Sequence, residues 1–227
     1  MTAAIVTGGA SGIGAACVEA LQAEGLRVGV IDLSLAAAAD ASVTADVRDA
    51  AAVATAFAEL ESVLGPCEHL VTCAGVYREA SFETLRLEEW LDMLQIHVGG
   101  TTNAFRAALP GMLARKRGSI VAIGSELGLI GDPSAPHYAA AKGAIHALVK
   151  SLGAEIAATG VRINVVAPGP TDTPLLRDDP NIDAYAETLP LGRVIRPDEI
   201  AAAVVFALLE DTTLTAQVIS PNGGAVP

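Results

Sequence analysis

Positive charge is scarce in this sequence. Lys and Arg together number 14 of 227 residues, against 26 Asp and Glu, so the formal net charge is −12 at pH 7. An acidic chain is repelled by the phosphates of nucleic acids and by anionic lipid headgroups. We therefore expect neither nucleic acid nor a membrane surface among the partners of this protein.

Cysteines and long apolar runs are also few. The three cysteines, Cys17, Cys67 and Cys73, lack metal-ligand spacing and are typical of reduced thiols. The histidines do not pair with carboxylates at such spacing either, so we expect no bound metal. The longest apolar run, Ala201–Leu209, is shorter than the roughly 18 residues that cross a bilayer. Because no leader-like segment precedes the first apolar stretch, the sequence favours a cytoplasmic location.

Apolar residues are abundant and regularly arranged. They make up 52% of the chain, and short β-branched runs alternate with alanine-rich segments of helical period. Such alternation predicts an α/β fold, with a parallel sheet covered by helices on both faces. Seven strands are expected at AAIVT, RVGVI, SVTA, HLVTC, GSIVAI, RINVVA and QVIS, and helices near residues 12–24, 50–64, 88–115, 137–158 and 197–209.

Two segments depart from this alternation. Only DLSLAAAADA separates the second and third expected strands, barely the length of a parallel crossover, so we expect no more than a loose helical turn there. The stretch from Pro168 to Pro197 contains six prolines, which is typical of a loop over a site. Within it we expect a short substrate lid at residues 175–190.

A glycine-rich segment, TGGASGIG, lies between the first expected strand and the first expected helix. Its glycines Gly8, Gly12 and Gly14 permit a tight turn and a close approach of the backbone to a ligand. The helix that follows presents free N–H groups and a partial positive charge to an anion. The segment therefore predicts a site for a pyrophosphate.

An acidic residue stands where it would meet the ribose of a dinucleotide. Asp32 ends the second expected strand, 24 residues after Gly8, near the usual offset for an acid that binds both ribose hydroxyls. Its carboxylate would repel a 2′-phosphate, and Ser11, Leu33 and Ser34 offer no cation to reverse that preference. The sequence favours NAD over NADP.

Tyr138 and Lys142 stand four residues apart in SAPHYAAAKGAIHALVK and would share one face of a helix. A neighbouring ammonium favours the phenolate, so we expect the pKa of Tyr138 to fall from about 10 toward about 7 to 8. Tyr138 could then accept a proton from an alcohol or donate one to a carbonyl. Ser125 ends the fifth expected strand, where ligands bind in open α/β sheets, and could donate a hydrogen bond to the reacting oxygen.

Together these motifs resemble the short-chain dehydrogenase/reductase family, and the resemblance covers essentially the whole chain. The family serine corresponds to Ser125, thirteen residues before Tyr138, and the Tyr-x-x-x-Lys motif is complete. The family glycine motif corresponds to Thr7, Gly8, Gly12 and Gly14, and its Asp-Val pair near the adenine to Asp46 and Val47. The Asn-Asn-Ala-Gly motif appears as Thr72-Cys73-Ala74-Gly75, with both asparagines replaced, and the Pro-Gly segment near the nicotinamide as Pro168, Gly169, Thr171 and Thr173.

The resemblance implies a single Rossmann-like, doubly wound domain over residues 1–227. It also implies a homo-oligomer, a tetramer or a dimer, that packs through the fourth and fifth long helices. The implied catalytic residues are Ser125, Tyr138 and Lys142, and the implied cofactor-binding residues are Gly8, Ser11, Gly12, Ile13, Gly14, Asp32, Leu33, Asp46, Val47, Ala74, Gly75, Tyr138, Lys142, Pro168, Gly169, Thr171 and Thr173.

One position departs from the family pattern. Family members usually carry an asparagine in the fourth long helix, where it holds a water that links the lysine to solvent. The segment LQIHVGGTT places His97 there. An imidazole can carry protons near neutral pH, so His97 is a candidate catalytic relay. The alternative is that His97 only packs beneath the site.

The resemblance implies an NAD-dependent oxidoreductase that transfers a hydride between nicotinamide and a small-molecule secondary alcohol or ketone. The segments LVTCAGV and APGPTDTPLL are similar to hydroxysteroid dehydrogenases and carbonyl reductases, which suggests a cyclic substrate. The segments GVYREA and PLGRVIRPDEIA instead resemble dihydrodiol dehydrogenases such as the dihydro-dihydroxybenzoate enzymes, in which Arg78 would receive a carboxylate. A further alternative, motivated by His97, is an NAD-binding regulatory protein with weakened catalysis.

Overall fold

In the computed structural model, which describes residues 2–177, 182–209 and 213–226, seven strands form one sheet in the order β3-β2-β1-β4-β5-β6-β7. All neighbouring strands are parallel. Each strand occupies a β-branched run of the sequence, because such side chains pack well on a sheet that is covered on both faces. The predicted α/β fold with a seven-stranded parallel sheet is confirmed. The strands are β1 Ala3–Thr7, β2 Arg27–Asp32, β3 Ala41–Thr44, β4 Cys67–Thr72, β5 Gly118–Ile123, β6 Val161–Val166 and β7 Val218–Ile219.

The helices follow the predicted segments, except that the long helix expected at 88–115 is divided by a π-helical segment at Gln95–Gly99. The α-helices in the described part of the chain are α1 Gly12–Ala23, α2 Ala50–Leu64, α3 Leu87–Leu94, α4 Gly100–Arg115, α5 Leu127–Ile130, α6 Pro136–Ile156, α7 Pro174–Arg177, α8 Ile182–Thr188 and α9 Pro197–Leu209. Helices α5, α7 and α8 were not predicted, since four to seven residues are too few to show a helical period.

Two apolar cores cover the two faces of the sheet. On one face Phe57 of α2 packs with Met112 of α4 and Ile145 of α6. On the other face Leu21 of α1 packs with Leu208 of α9. Burying one such side chain contributes about 1.5 to 3 kcal/mol, so both cores hold the ends of the strands in a fixed arrangement.

The strand order reverses between β1 and β4, which are neighbours in the centre of the sheet. The connections that leave these two strands run in opposite directions and open a crevice at the carboxyl ends of the strands, which is the usual ligand site of such sheets. The ends of β1 and β4 are joined by a hydrogen bond from Cys73 N to the carbonyl oxygen of Thr7, 3.0 Å long. The candidate site begins there.

The crossover between β2 and β3 contains no helix in the described structure, as its length predicted. Asp40 attaches this connection to β2 instead, because its backbone N–H donates to Val28 O at 3.0 Å and its Oδ2 accepts from Val28 N at 2.8 Å. Helices α7 and α8 occupy part of the expected lid, while residues 178–181 of that prediction lie outside the described residues.

None of the described helices combines the length and hydropathy that a membrane span requires.

Candidate active site

A cavity of about 400 Å³ occupies the crevice and extends from the glycine-rich turn to Tyr138 and Lys142. The residues predicted from the sequence lie on eight separate segments, and the fold brings most of them to this one cavity. Six of the segments follow the carboxyl ends of β1 to β6, where ligands bind in such sheets, while His97 and the pair Tyr138 and Lys142 reach the cavity from helical segments. The predicted residues that line it are Gly8, Ser11, Gly12, Ile13, Asp32, Leu33, Asp46, Val47, Ala74, Gly75, His97, Ser125, Tyr138, Lys142, Pro168 and Thr173.

The glycine-rich turn needs glycine for two different reasons. Gly8 and Gly12 have φ of +72° and +54°, in the left-handed region that side chains disfavour. Gly8 also faces the loop after β4, since a Cβ there would lie 2.5 Å from Ala74 N. Gly14 does not line the cavity, and a Cβ on it would collide with the carbonyl oxygen of Gly8. Gly14 therefore lets α1 pack closely on the turn.

Helix α1 presents its N-terminus to the cavity. Ser11 is the N-cap in extended conformation, and its side chain makes no capping hydrogen bond, so its hydroxyl stays accessible beside the free N–H groups. Together with the turn, this arrangement fits a pyrophosphate, because its backbone donors and its partial positive charge are both available to an anion.

Asp32 is held in position by the backbone. Its Oδ2 accepts from Ala10 N at 3.0 Å and its Oδ1 from Ser34 N at 3.2 Å. The carboxylate lines the cavity beside the glycine-rich turn, and its remaining lone pairs can accept from ribose hydroxyls. The residues present thus fit a dinucleotide, whose adenosine ribose would lie against Asp32.

Arg48 is a cation on the cavity wall that sequence analysis did not consider, although it directly follows the predicted pair Asp46 and Val47. Its guanidinium pairs with Asp46 at 2.6 Å and with Asp92 at 2.8 Å. Arg78, which also lines the cavity, pairs with the other oxygen of Asp92 at 2.8 Å. Both cations are therefore matched by carboxylates of this chain.

The catalytic candidates Ser125, Tyr138 and Lys142 meet at the other end of the cavity. Pro136 begins α6 and suits a first helical position, which places Tyr138 and Lys142 one turn apart beside the end of β5. Lys142 is 4% exposed, and its Nζ donates to the carbonyl oxygen of Ile123 at 2.8 Å. Burial lowers the pKa of Lys142 to about 8.

The predicted fall in the pKa of Tyr138 is wrong for this structure. Burial raises the pKa of Tyr138 to about 12, while its hydrogen-bonding interaction with Ser125 acts in the opposite direction. Lys142 is not among the causes of this pKa shift; its ammonium lies 5.6 Å from the centre of the tyrosine ring and is bonded to Ile123 O. Loss of water around the phenol is the largest influence on its pKa.

His97 lies in the π-helical segment and is 2% exposed. Its Nε2 lies 2.8 Å from Val76 O, and its ring meets Tyr138 edge-on with 5.3 Å between centroids. Burial and the charge of Lys142 lower the pKa of His97 to about 3. The imidazole is therefore neutral at physiological pH, which favours the packing role over a relay that changes its charge.

The Pro-Gly segment is divided between the cavity and the protein interior. Pro168 and Thr173 line the cavity, whereas Gly169 and Thr171 do not. Gly169 packs against Asn222, where a Cβ would lie 2.8 Å from Cα, and Thr171 Oγ1 donates to Gly169 O at 2.8 Å. These two residues shape the loop rather than face a ligand.

Two residues that follow β4 belong to the surroundings of the site and were not predicted: Cys73 lines the cavity, and Tyr77 contacts Tyr138. Cys73 lines the cavity at the position of a family asparagine, and the motif itself was the signal for it. Tyr77 packs edge-on against Tyr138 with 5.1 Å between ring centroids, and its hydroxyl donates to Asp132 Oδ2 at 3.2 Å. No sequence signal marks Tyr77, since its contact with Tyr138 depends on the fold of the loop.

A family model described as enoyl-(acyl carrier protein) reductase matches residues 8–225 of the chain. The protein named inactive 2-(S)-hydroxypropyl-CoM dehydrogenase 2 of Xanthobacter autotrophicus is 39% identical over 218 residues, which cover 88% of this chain and 95% of the relative. The acetoacetyl-CoA reductase of Synechocystis sp. is 36% identical, covering 96% and 94% of the two chains. The galactitol 2-dehydrogenase (L-tagatose-forming) of Cereibacter sphaeroides is 37% identical, covering 97% and 93%.

Solved structures agree with these relationships. The crystal structure of gox2181 has a TM-score of 0.92 with 34% sequence identity, covering 99% of this chain and 95% of that one. The ligand-free aldohexose dehydrogenase of Thermoplasma acidophilum has a TM-score of 0.93 with 28% identity, covering 99% and 93%. The likeness therefore extends over 99% of the chain.

Proposed function

Because the chain belongs to the short-chain dehydrogenase/reductase family, whose named relatives act on CH–OH or C=O groups, we propose that it transfers a hydride between NAD and a small secondary alcohol or its ketone. The observation that carries this proposal is the meeting of Tyr138, Lys142 and Ser125 in the same cavity as Asp32 and the glycine-rich turn. Proton chemistry and dinucleotide binding are then neighbours, as hydride transfer to or from a carbon–oxygen bond requires.

Each of the three catalytic candidates has its own task in this proposal. Tyr138 accepts the hydroxyl proton during oxidation and returns it to the carbonyl oxygen during reduction. Ser125 donates a hydrogen bond to the same oxygen. Lys142 binds the nicotinamide ribose and keeps a positive charge beside the phenol. The cofactor supplies the hydride donor or acceptor when bound. With its pKa raised to about 12, the phenol holds its proton at neutral pH, the state that carbonyl reduction needs.

The preference for NAD is supported by the charges around the ribose position. Asp32 is fixed there by Ala10 N and Ser34 N and would face a 2′-phosphate as a like charge. Arg48, the nearby cation on the wall, is already paired with Asp46 and Asp92. A 2′-phosphate would have to share the guanidinium of Arg48 with these two carboxylates, whereas NAD needs no such cation.

The proposed substrate is small and uncharged. Substrates carried on coenzyme A bring several phosphates, yet the chain has a net charge of −12 and both Arg48 and Arg78 are matched by carboxylates. The same pairing weakens the dihydrodiol alternative in which Arg78 receives a carboxylate. Leu175 gives the cavity an apolar wall, which fits a ring or an alkyl group next to the reacting carbon.

A homo-oligomer, tetramer or dimer, is part of the proposal. An apolar groove runs along α4 and α6, lined by Thr102, Phe105, Arg106, Leu109, Pro110, Leu113, Leu148 and Leu152. A second copy would bury this surface. Light scattering coupled to gel filtration tests the assembly, and the replacement Leu148→Asp should dissociate it.

The cysteines bear on the location of the protein. Cys17, Cys67 and Cys73 are all free thiols in the structure, and this reduced state supports the proposed cytoplasmic location.

The experiment that tests the function is a screen of secondary alcohols and ketones followed by NADH absorbance. The screen includes cyclic alcohols, polyols, hydroxysteroids and dihydrodiols, each with both NAD and NADP. Tyr138→Phe should lower kcat by about 10²- to 10⁴-fold on any active substrate and leave the dissociation constant of NADH within about threefold, because it removes only a hydroxyl. Wild-type turnover by this variant would overturn the mechanism. Tight NADH binding without turnover of any substrate would instead support the regulatory alternative.

A further inference from the structure

Tyr77 lies next to the catalytic candidate Tyr138 but has no part in the proposed proton chemistry. The two rings are nearly perpendicular, with 85° between their planes and 5.1 Å between their centroids, which is a favoured geometry for an aromatic pair. Burial raises the pKa of the Tyr77 phenol above its ordinary value, so its hydroxyl keeps the proton at neutral pH and can donate it in a hydrogen bond. The contact with Tyr138 is therefore made by a neutral ring.

The hydroxyl of Tyr77 is anchored to the segment that leads into α6. Its nearer acceptor is Asp132 Oδ2, at 3.2 Å, while Glu79 Oε1 lies 3.4 Å away. The other oxygen of Asp132 accepts from both N and Oγ of Ser134 at 2.8 Å. The backbone adds a second connection, since Ala80 N donates to Ser134 O at 2.9 Å. The loop after β4 is thus attached at two points to the segment just before the helix of the catalytic tyrosine.

A second ring meets Tyr138 in the same geometry. The imidazole of His97 lies 5.3 Å from the tyrosine ring, with 86° between the planes, and His97 Nε2 lies 2.8 Å from Val76 O. Because a carbonyl oxygen only accepts, Nε2 carries the proton of the neutral imidazole in this bond. The adjacent residues Val76 and Tyr77 thus each control a ring that contacts Tyr138, Val76 by holding the imidazole and Tyr77 directly.

The hydroxyl of Tyr138 must stay available to the substrate while its ring is held in place. Proton transfer requires the tyrosine oxygen to lie within hydrogen-bond reach of the reacting oxygen. Helix α6 fixes the backbone of Tyr138, but the side chain can still rotate about its two bonds. Contacts to the ring restrict this rotation without occupying the hydroxyl. Within the described part of the chain, the aromatic rings that make such contacts are those of Tyr77 and His97.

We propose that Tyr77 is a positioning residue that holds the ring of Tyr138 in the orientation needed for proton transfer. Tyr77 acts through Tyr138: its ring makes the contact, and its hydroxyl keeps that ring in place through Asp132. This inference rests on the proposed function, because it concerns the acid and base of the same reaction. A small displacement of a reacting group lowers the rate of the chemical step strongly, so the contribution of Tyr77 appears in kcat.

The test removes the ring and its anchor separately, with any substrate that the screen finds active. Tyr77→Leu lacks the ring and should lower kcat by about tenfold or more, while KM and the dissociation constant of NADH stay within about threefold of wild type. Tyr77→Phe keeps the ring and loses only the bond to Asp132, so its kcat should stay within about threefold of wild type. Phe82→Leu is the matched control, because it removes an aromatic ring that also follows β4 but is 76% exposed.

Fluorine NMR observes the ring itself and separates this inference from the proposed function. The chain contains three tyrosines, so labelling with 3-fluorotyrosine gives few signals, and replacement of each tyrosine by Phe assigns them. In the wild-type protein we expect a restrained ring for Tyr138 and a rapidly rotating one for Tyr185, which is 41% exposed. Tyr77→Leu should release the Tyr138 ring. Release of the ring in a protein that turns over no substrate supports the inference and contradicts the proposed reaction.

Four results would overturn the role of Tyr77. A Tyr138 ring that already rotates rapidly in the wild-type protein does so without any variant having to fold. A wild-type kcat in Tyr77→Leu also does so and leaves the proposed reaction intact. A change confined to KM would mean that Tyr77 contacts the substrate instead. Weakened NADH binding in Tyr77→Leu would mean that the residue supports the fold as a whole rather than the ring of Tyr138.

Discussion

The ammonium of Lys142 lies 5.6 Å from the centre of the Tyr138 ring. It does not bond the phenol but donates to the carbonyl oxygen at the end of β5, Ile123 O, at 2.8 Å. The end of the strand therefore fixes the position of the ammonium, and the charge of Lys142 lies near the tyrosine ring without being among the causes of the raised pKa of Tyr138. Because Lys142 is buried, this charge also carries a cost in stability that can be measured.

Replacing Lys142 by Met should stabilise the fold and abolish most activity. Burial lowers the pKa of Lys142 from 10.5 to about 8, so the folded state binds fewer protons than the unfolded state between these values. The destabilisation by the charged lysine is thus complete below pH 8 and disappears as the pH rises to 10.5. After allowing for the lost bond to Ile123, we expect a gain of about 1 to 2 kcal/mol at pH 7. Urea unfolding at pH 7 and pH 10, at one protein concentration, measures it, and a gain that persists at pH 10 would contradict the assignment.

Replacing Asp32 by Asn should change the choice of cofactor. The amide keeps the shape and one of the two acceptor oxygens, so one of the bonds from Ala10 N and Ser34 N is lost, but it removes the charge that repels a 2′-phosphate. We expect the ratio of NADPH to NADH affinity to rise by about tenfold. Fluorescence titration of both reduced cofactors into wild type and variant measures the ratio. Tighter binding of NADPH by the wild-type protein would show that the charge argument is wrong.

Replacing Gly75 by Ala should disturb the ring beneath Tyr138. A Cβ at Gly75 would fall against the imidazole of His97, 2.9 Å from its Nδ1, and would displace that ring, which contacts Tyr138 edge-on. We expect a loss of about 1 to 3 kcal/mol in stability, as overpacking usually costs, together with a lower kcat. Gly99→Ala is the matched control, because its Cβ would meet only Gln95 Cγ and Leu94 O at ordinary distances, 3.7 and 4.0 Å.

The double variant Gly75→Ala, His97→Ala decides whether the contact itself is responsible. Removal of the imidazole should recover much of the stability lost in Gly75→Ala, giving a coupling energy of about 1 kcal/mol or more in a double-mutant cycle. Thermal and urea unfolding of the four proteins supply the cycle. Additive effects would mean that the two residues do not contact each other.

Replacing His97 by Asn should leave the pH dependence of kcat between pH 5 and pH 9 unchanged. The pKa of His97 is lowered to about 3, so its charge does not change in that range. The control is the wild-type profile with the same substrate. An ionisation near neutral pH that is present in the wild-type profile and absent from the variant would show that His97 does act as a relay that changes its charge.

Replacing Glu126 by Gln should stabilise the protein at neutral pH and above. The pKa of Glu126 is raised from 4.5 to about 7, so the folded state holds a proton that the unfolded state releases between these values. Stability therefore falls as the pH rises from 4.5 to 7, and the full destabilisation is present above pH 7. We expect Glu126→Gln to gain about 1 to 2 kcal/mol at pH 8 and nothing near pH 4.5, measured by urea unfolding. An equal gain at both pH values would indicate an effect of shape rather than of charge.

The fold was largely predictable because its signals are local. The runs AAIVT and RINVVA became β1 and β6 with boundaries within a residue of those expected, since β-branched residues suit a sheet covered on both faces. The π-helical segment around His97 was not predictable, because a single-turn change of helix type has no periodic signature. The short helices α7 and α8 were not predicted either, because so few residues show no helical period in the sequence.

In the candidate site, the positions of several residues were predictable from the sequence, but their electrostatic state was not. The sequence by itself determined that Gly8, Asp32, Tyr138 and Lys142 reach the cavity, because glycine turns, strand ends and helical spacing place them at one edge of a parallel sheet. Only the tertiary structure decided their electrostatic state. The pKa of Tyr138 and the burial of Glu126 Oε2, which has no hydrogen-bond partner among the described residues, depend on neighbours far away in the chain, and no spacing in the sequence encodes how much water remains around a side chain.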